Sequence, residues 1–530
     1  MSNRPNFLFV ITDQHRADYL GCYGHPIVST PQIDSLAARG RRFDRFYVAS
    51  PICMANRATL MTGRMPSLHG VRHNGIPLSL RANTFVDLLR VNGYRTALVG
   101  KSHLQNFVGR APILRRPEPP AGRAVPTEEF AEALKPSPSE GRYNQEQPIG
   151  WQEKTDFDMD LPFYGFEHVD LCTEHGDLVG GHYDQWLRER RPDADKLRGA
   201  DNALPHDYVC PHAWRTAVPE ELYPTSYIAE KTIEHLDSLA AEEGDEPFFL
   251  MVSFPDPHNP FSPPGHYWGM YKPADMLLPE SFRRENRAPP PHVAWAYAQR
   301  DAGTAITSSQ ASFAVNEREA REAMALTCGM ITMIDDAVGK ILRRLERHGL
   351  SRDTVVVFTS DHGDYLGDHQ LLLKGPAHYQ SLIRVPFIWA DTDGQAAETV
   401  HTLGGTLDIA RTILDRAGIE PYNGIQGRDL LKSTTANPID SVLIEEDQQR
   451  IHDGFSQPAR GRTLVTDRWR LTIYHNVDWG ELYNLVDDPH ELDNLWSDPA
   501  HQAIKGDLFE KLARRQMALA ERSPLPTAPA

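Results

Sequence analysis

Short, nearly unbroken apolar runs recur along the chain, and each stops abruptly at polar residues. Asn6 to Thr12 (NFLFVIT), Thr96 to Val99, Phe248 to Phe254 (FFLMVSF), Thr354 to Phe358 (TVVVF) and Val385 to Ala390 are too short for helices and rich in Phe, Val and Ile. Runs of this kind predict strands buried on both faces, as in a parallel sheet. Stretches of helical period lie between them. Thr30 and Pro31 open one by the N-cap and first-turn preferences, with Ile33 and Leu36 on its apolar face. Another follows Cys53, and a third begins at Thr84, carries Phe85, Leu88 and Leu89, and stops at Gly93. Further helices are predicted over Ser226 to Ala241, Leu407 to Ala417 and, longest, Glu317 to His348, where Met324, Met330, Ile334, Val338 and Leu342 recur at helical spacing. This alternation predicts an α/β fold, a large, mostly parallel sheet sandwiched by helices.

Two stretches break the pattern. From about Leu104 to Pro219 the apolar period is lost, and Pro, Glu, Arg, Gly and Asp dominate. Trp151, Phe157, Phe163, Tyr164, Phe166, Tyr183, Trp186 and Trp214 are too many aromatics to leave in water, so this excursion is expected to form loops that cover a site and set its specificity. Beyond Gly424, Ser441 to Ile444, Thr463 to Val465 and Trp469 to Tyr474 predict clustered short strands, with an amphipathic helix from about Gln502 to Arg522. The expected layout is a main α/β domain over residues 1–430, including the 104–219 excursion, and a smaller antiparallel α+β domain over 431–530.

Composition narrows the choice of partners. The 530 residues carry a net charge of -17, without the basic stripe that a nucleic-acid surface needs. A local pocket can still be positive on an acidic protein, so an anionic substrate stays open. Five cysteines, odd in number and unclustered, suggest neither a disulfide framework nor a zinc ribbon. The N-terminal apolar run is too short for a signal segment, and no window is long and apolar enough to span a bilayer, so a cytoplasmic protein without a membrane partner is expected. For a chain of this size, association into a homo-oligomer is a further expectation.

The candidate chemistry gathers at strand ends. Asp13, Asp361 and His362 each fall just past the C-terminal end of a predicted strand, which is where ligands bind in open α/β sheets. If those strands are neighbours, two carboxylates and an imidazole converge on a divalent metal. Cys53, with Arg57 four residues later, sits at the mouth of a helix, where unpaired N–H groups favour an anion. Lys101 and His103 follow another strand, His258 is fixed between prolines, and Lys374 lies downstream of Asp361, so that together these residues would ring the metal with donors for an oxyanion. Taken singly, each is as well explained as a cap, a turn, a surface residue or inert packing. Jointly they point to an α/β metallohydrolase acting on an anion.

These segments also resemble the sulfatases of the alkaline phosphatase superfamily. CMANRATLMTG around Cys53 is similar to their signature, as are GKSHL, PHNP around His258, TSDHGDYLGDH with Lys374, GIQGRDL and ELYNLVDDPHELDNL, spanning residues 6 to about 497. The resemblance implies an alkaline phosphatase-like fold and a cysteine, Cys53, oxidised by a formylglycine-generating maturation enzyme. The hydrate of that formylglycine would attack a small anionic ester through a covalent sulfated hemiacetal. Asp13, Asp361 and His362 would hold one divalent metal, with Gln14 a further oxygen ligand and Cys53 beside it. Arg57 and Lys101 would stabilise the hydrate and neighbouring charge, His103 would deprotonate its second hydroxyl, and His258 and Lys374 would grip the oxyanion and protonate the leaving group.

Departures from the pattern sharpen the expectation. Ala55 stands where the family prefers Pro. Asp13-Gln14 and Asp361-His362 replace the usual Asp-Asp and Asp-Asn, which removes a carboxylate and adds an imidazole, favouring Mn²⁺ or Zn²⁺ with Ca²⁺ as the alternative. Those two replacements resemble the phosphonate monoester hydrolase and phosphodiesterase branch, whereas Lys101 and His103 resemble the sulfatase branch. Sulfate monoesters, phosphonate monoesters and phosphate diesters all carry one negative charge, so the same site would serve each. A non-catalytic anion-binding relative with an unmodified Cys53 is the remaining alternative.

Overall fold

The computed structural model describes residues 4–108, 138–153, 157–242, 244–283, 289–392, 394, 396–432, 439–451 and 454–523. The apolar runs pair side by side. Asn6–Thr12 lies between Thr354–Ser360 and Phe248–Phe254, parallel to both, with Thr12 beside Ser360 and Phe254. Arg95–Lys101 pairs in parallel with the far side of Phe248–Phe254, and His168–Thr173 pairs in parallel with Arg95–Lys101. These parallel strands form the centre of a nine-stranded sheet. Phe387–Ala390 runs antiparallel to Thr354–Ser360, Arg41–Phe43 and Glu398–Val400 complete that edge, and Gly180–Gly181 closes the other.

Alternate residues of the first strand show why its sequence is apolar throughout. Phe7, Phe9 and Ile11 pack into one hydrophobic layer, and Leu8 and Val10 into the layer on the opposite face. The capped helix Glu317–Arg347 covers the second face together with Pro224–Ala241; Asn316 and Glu319 hydrogen-bond reciprocally at its start. At the Phe85–Val91 helix the Thr84 side chain accepts from the Asp87 N–H, as the sequence predicts. Thr30 behaves differently, because its hydroxyl donates to Asp34 and leaves the Pro31–Ala37 helix without a side-chain cap.

The 104–219 excursion is more ordered than loops alone. Its residues 109–137 and 154–156 lie outside the described residues, but His168–Thr173 and Gly180–Gly181 extend the main sheet, and His182–Arg190 is a helix. His168–Thr173 lacks a continuous apolar run because it lies near the sheet edge, where exposed His168 and half-buried Asp170 alternate with buried Val169 and Leu171.

After residue 440 the strands Val442–Asp447, Arg460–Val465, Trp469–Tyr474 and Gly480–Asn484 form an antiparallel sheet, followed by the helix Gln502–Ala518. The fourth strand escapes the apolar pattern because its second residue is buried Glu481, paired with buried Arg470.

Candidate metal centre and anion site

Parallel register delivers the candidate residues to one edge. Asp13 leaves the first strand directly beside Asp361, whose N–H donates to the Thr12 carbonyl at 3.1 Å. Asp361 is then held from two sides. Its Oδ1 accepts from the Gln14 N–H at 3.2 Å, and its Oδ2 accepts from Arg57 Nε at 2.7 Å. The Cys53–Thr62 helix, buried at every residue, is pinned to the same edge by Asn56, which donates to the Asp361 carbonyl at 2.6 Å and accepts from the Ala49 N–H.

One ligand atom from each of Asp13, Cys53, Asp361 and His362 lies within 4.8 Å of the others, and all four residues are buried. His362 Nδ1 lies 2.8 Å from the Gly363 carbonyl; donation there leaves the Nε2 lone pair pointing inward, 3.0 Å from Cys53 Sγ and 3.4 Å from Asp13 Oδ1. Asp13 Oδ1 and Gln14 Oε1 are buried without a hydrogen-bond partner. Gln14 spends its amide N–H groups on Asp364 at 2.6 Å and Asn259 at 3.4 Å, which fixes Oε1 as the free atom. Buried acceptors left open beside two carboxylates and an imidazole fit a divalent cation.

Cations and imidazoles ring this group. Lys374 Nζ stands 3.0 Å from Cys53 Sγ, 3.0 Å from His258 Nε2 and 3.1 Å from His362 Nε2. Burial pushes the Cys53 thiol up, but Lys374 and His362 outweigh burial and bring it down to about 7. His258 Nδ1 faces the Asn259 carbonyl at 2.6 Å, so its Nε2 is the acceptor; burial, then His175 and Lys374, hold it neutral, well below the usual histidine range. Lys101 pairs with Asp13, to which the close approach of its strand contributes. At Gly100, with φ +111°, an added Cβ would lie 1.9 Å from the Ser253 carbonyl oxygen, so only glycine fits there. Arg57 donates from Nη1 to the Lys101 carbonyl and Ser253 Oγ, both at 3.0 Å, and its buried Nη2 stands 4.0 Å from Asp13 Oδ2 without a hydrogen bond among the described residues.

His103 lies farther out. Its backbone is left-handed at φ 57°, its ring stacks on Phe107 with centroids 3.8 Å apart, and its buried Nδ1 has no partner. Burial, then the Lys101 charge, keeps it well below the usual histidine range. The sequence reading omitted His175, which stacks on His258 at 3.7 Å and lies 2.8 Å from Lys101 Nζ. Its signal is the rule that found Asp13: it stands two residues past the end of a sheet strand, one hidden inside the excursion. Asp13, His175 and His258 form a second group with metal-ligand spacing, but the Lys101 ammonium already lies between Asp13 and His175.

Three cations, Arg57, Lys101 and Lys374, thus face the carboxylates of Asp13 and Asp361. A divalent ion would make the site strongly positive inside a protein of net charge -17. Sheet and site together have the make-up of an α/β metal site for an anionic substrate. The comparisons with known proteins take this one step further. The sulfatase family model matches residues 5–419, and the model for the C-terminal part of N-sulphoglucosamine sulphohydrolase matches residues 367–518. The chain belongs to the sulfatase family. It is 26% identical to an arylsulfatase of Clostridium perfringens over 93% of this chain and 90% of that protein. It is 27% identical to the multifunctional alkaline phosphatase superfamily protein PehA of Trinickia caryophylli, covering 98% of this chain and 96% of the relative. Among solved structures, phosphonate monoester hydrolase of Agrobacterium radiobacter superposes with a TM-score of 0.74 at 26% identity, covering 99% of this chain and all of that one. No helix among the described residues is long and apolar enough to cross a membrane.

Proposed function

We propose that the chain hydrolyses sulfate monoesters with Cys53 carried as formylglycine, its hydrate supplying the nucleophile. The observation that carries this reading is the setting of Cys53 Sγ: buried at a helix start, 3.0 Å from both His362 Nε2 and Lys374 Nζ, and within the carboxylate cluster. Asp13, Asp361 and His362, with Gln14 Oε1, would hold one divalent ion, and the added imidazole favours Mn²⁺ or Zn²⁺ over Ca²⁺. That ion would polarise the ester and acidify the attacking hydroxyl.

The chain's own groups do the rest. Lys374 donates to the sulfate oxygens and supplies the proton that the leaving alcohol needs, and neutral His258, whose Nε2 accepts from Lys374 at 3.0 Å, orients that ammonium. Lys101 and Arg57 hold Asp13 and Asp361 in place. His103, neutral and with Nδ1 free, accepts the proton of the second hydroxyl when sulfate is expelled. Phosphonate monoester or phosphodiester hydrolysis is the second reading, favoured by Gln14 and His362 at the metal edge and by the structural likeness to phosphonate monoester hydrolase.

The test is the mass of the Cys53 peptide, from the native host and from a host with the maturation enzyme, together with aryl sulfate and aryl phosphonate turnover in wild type and Cys53→Ala. A loss of about 18 Da, with sulfate turnover that vanishes in Cys53→Ala, is the expected result. An unmodified thiol in active native protein would overturn the formylglycine route, and faster phosphonate turnover would favour the second reading.

A further inference from the structure

The turn that delivers His103 is held by one buried carboxylate 43 residues farther along the chain, within the excursion. The backbone N–H of His103 donates to Glu146 Oε2 at 2.8 Å, and those of Leu104 and Gln105 donate to Glu146 Oε1 at 2.9 Å each. Glu146 has no exposed surface, and among the described residues it forms no ion pair with Lys, Arg or His. Successive N–H groups converging on one anion form a nest, a geometry set by the left-handed backbone at His103. The same two segments are fastened a second time. Gln105 Oε1 accepts from the Gln145 N–H at 3.0 Å, and Gln105 Nε2 donates to the Arg142 carbonyl at 2.9 Å. Among the described residues the ring of His103 stacks on Phe107 and its Nδ1 has no hydrogen-bond partner, so its direction depends on the backbone turn beneath it.

We propose that Glu146 is a positioning residue for His103, its carboxylate locking the 103–105 turn and with it the direction of the buried Nδ1. The proposal rests on the sulfate-ester reading for its kinetic part only. Glu146→Gln puts an amide N–H₂ against N–H donors, so at least one of the three bonds is lost while side-chain size is kept.

The expected result is a fall in kcat of about 10- to 100-fold with KM falling alongside it and kcat/KM little changed, because the step that depends on the turn follows release of the alcohol. Release of alcohol in the first turnover stays fast, since only the later proton removal depends on His103. Independently of activity, the ring Cε1–H resonance of His103, assigned by its disappearance in His103→Gln, should shift in Glu146→Gln. Gln105→Leu, which loosens the second fastening without touching the carboxylate, should move the same resonance less. An unchanged kcat in active enzyme, or an unmoved His103 resonance, overturns the proposal. If wild type turns over no sulfate ester, the sulfate reading fails and the resonance alone decides the positioning role. If Glu146→Gln does not fold, Gln105→Leu decides it by the same measurements.

Discussion

Two clusters of buried charge, each pairing arginine with carboxylates, end in opposite states. In the C-terminal sheet, Arg470 donates to Glu491, to Glu481 at 2.9 Å and to Thr472 Oγ1 at 2.9 Å, and Tyr474 donates to Glu481 at 2.5 Å. Glu491 takes the Gln380 N–H on its other oxygen, so every charged atom of this cluster has a partner. At the edge of the main sheet, Asp13 Oδ1, Gln14 Oε1 and His103 Nδ1 are equally buried and, among the described residues, have no hydrogen-bond partner. A closed cluster holds a fold together; an open one is shaped for something that arrives later. Burial and charge do not separate the two, whereas satisfaction does.

The comparison breaks first at the metal. Asp361→Asn should lower aryl sulfate turnover by more than about 100-fold, with the bound ion per chain, measured by plasma mass spectrometry, falling in parallel. Chelation should do the same reversibly in wild type, and Mn²⁺ or Zn²⁺ at about a hundred times its Kd should add about 3 kcal/mol of stability by denaturant melts. An Asp361→Asn protein with full metal and full rate would show that the open cluster is not the metal site.

Arg470→Met should have the converse profile. It strands Glu481 and Glu491 without a cation and should cost about 3–5 kcal/mol of stability, while metal content and the kcat of the folded fraction stay near wild type. Loss of metal in that variant would couple the two clusters and end the distinction.

The smallest effect calibrates a neutral, fully hydrogen-bonded histidine outside both. His69 Nδ1 accepts from the Val71 N–H at 3.1 Å, and its Nε2 meets Thr59 Oγ1 at 3.0 Å. Burial, then Arg64, depresses it from 6.5 to about 3. Because the folded-state value lies below the unfolded one, this stabilisation is complete above pH 6.5 and is lost as pH falls toward 3. Between pH 7 and pH 5 it should amount to on the order of 1 kcal/mol, and His69→Gln should flatten that part of the stability profile.

Much of this was legible in the chain, for stated reasons. Strands buried on both faces leave continuous apolar runs, so Asn6–Thr12, Phe248–Phe254 and Thr354–Ser360 announce themselves, and so do the residues just past them. Adjacency was not legible: nothing in the order of segments says that Thr354–Ser360 and Phe248–Phe254 flank Asn6–Thr12, and only that pairing makes Asp13, Asp361 and His258 neighbours. His175 stayed hidden because a strand near the sheet edge alternates polar with apolar residues. Glu146 stayed hidden because its partners are backbone N–H groups, which carry no residue identity.

The ammonium that Lys101 places between Asp13 and His175 is fixed to the chain by its own side chain. Part of the site's positive charge is therefore made on the ribosome and needs no supply from outside. A site that must collect two free ions fills as the square of their concentration when they are scarce; one that carries a tethered cation and collects a single ion fills in simple proportion.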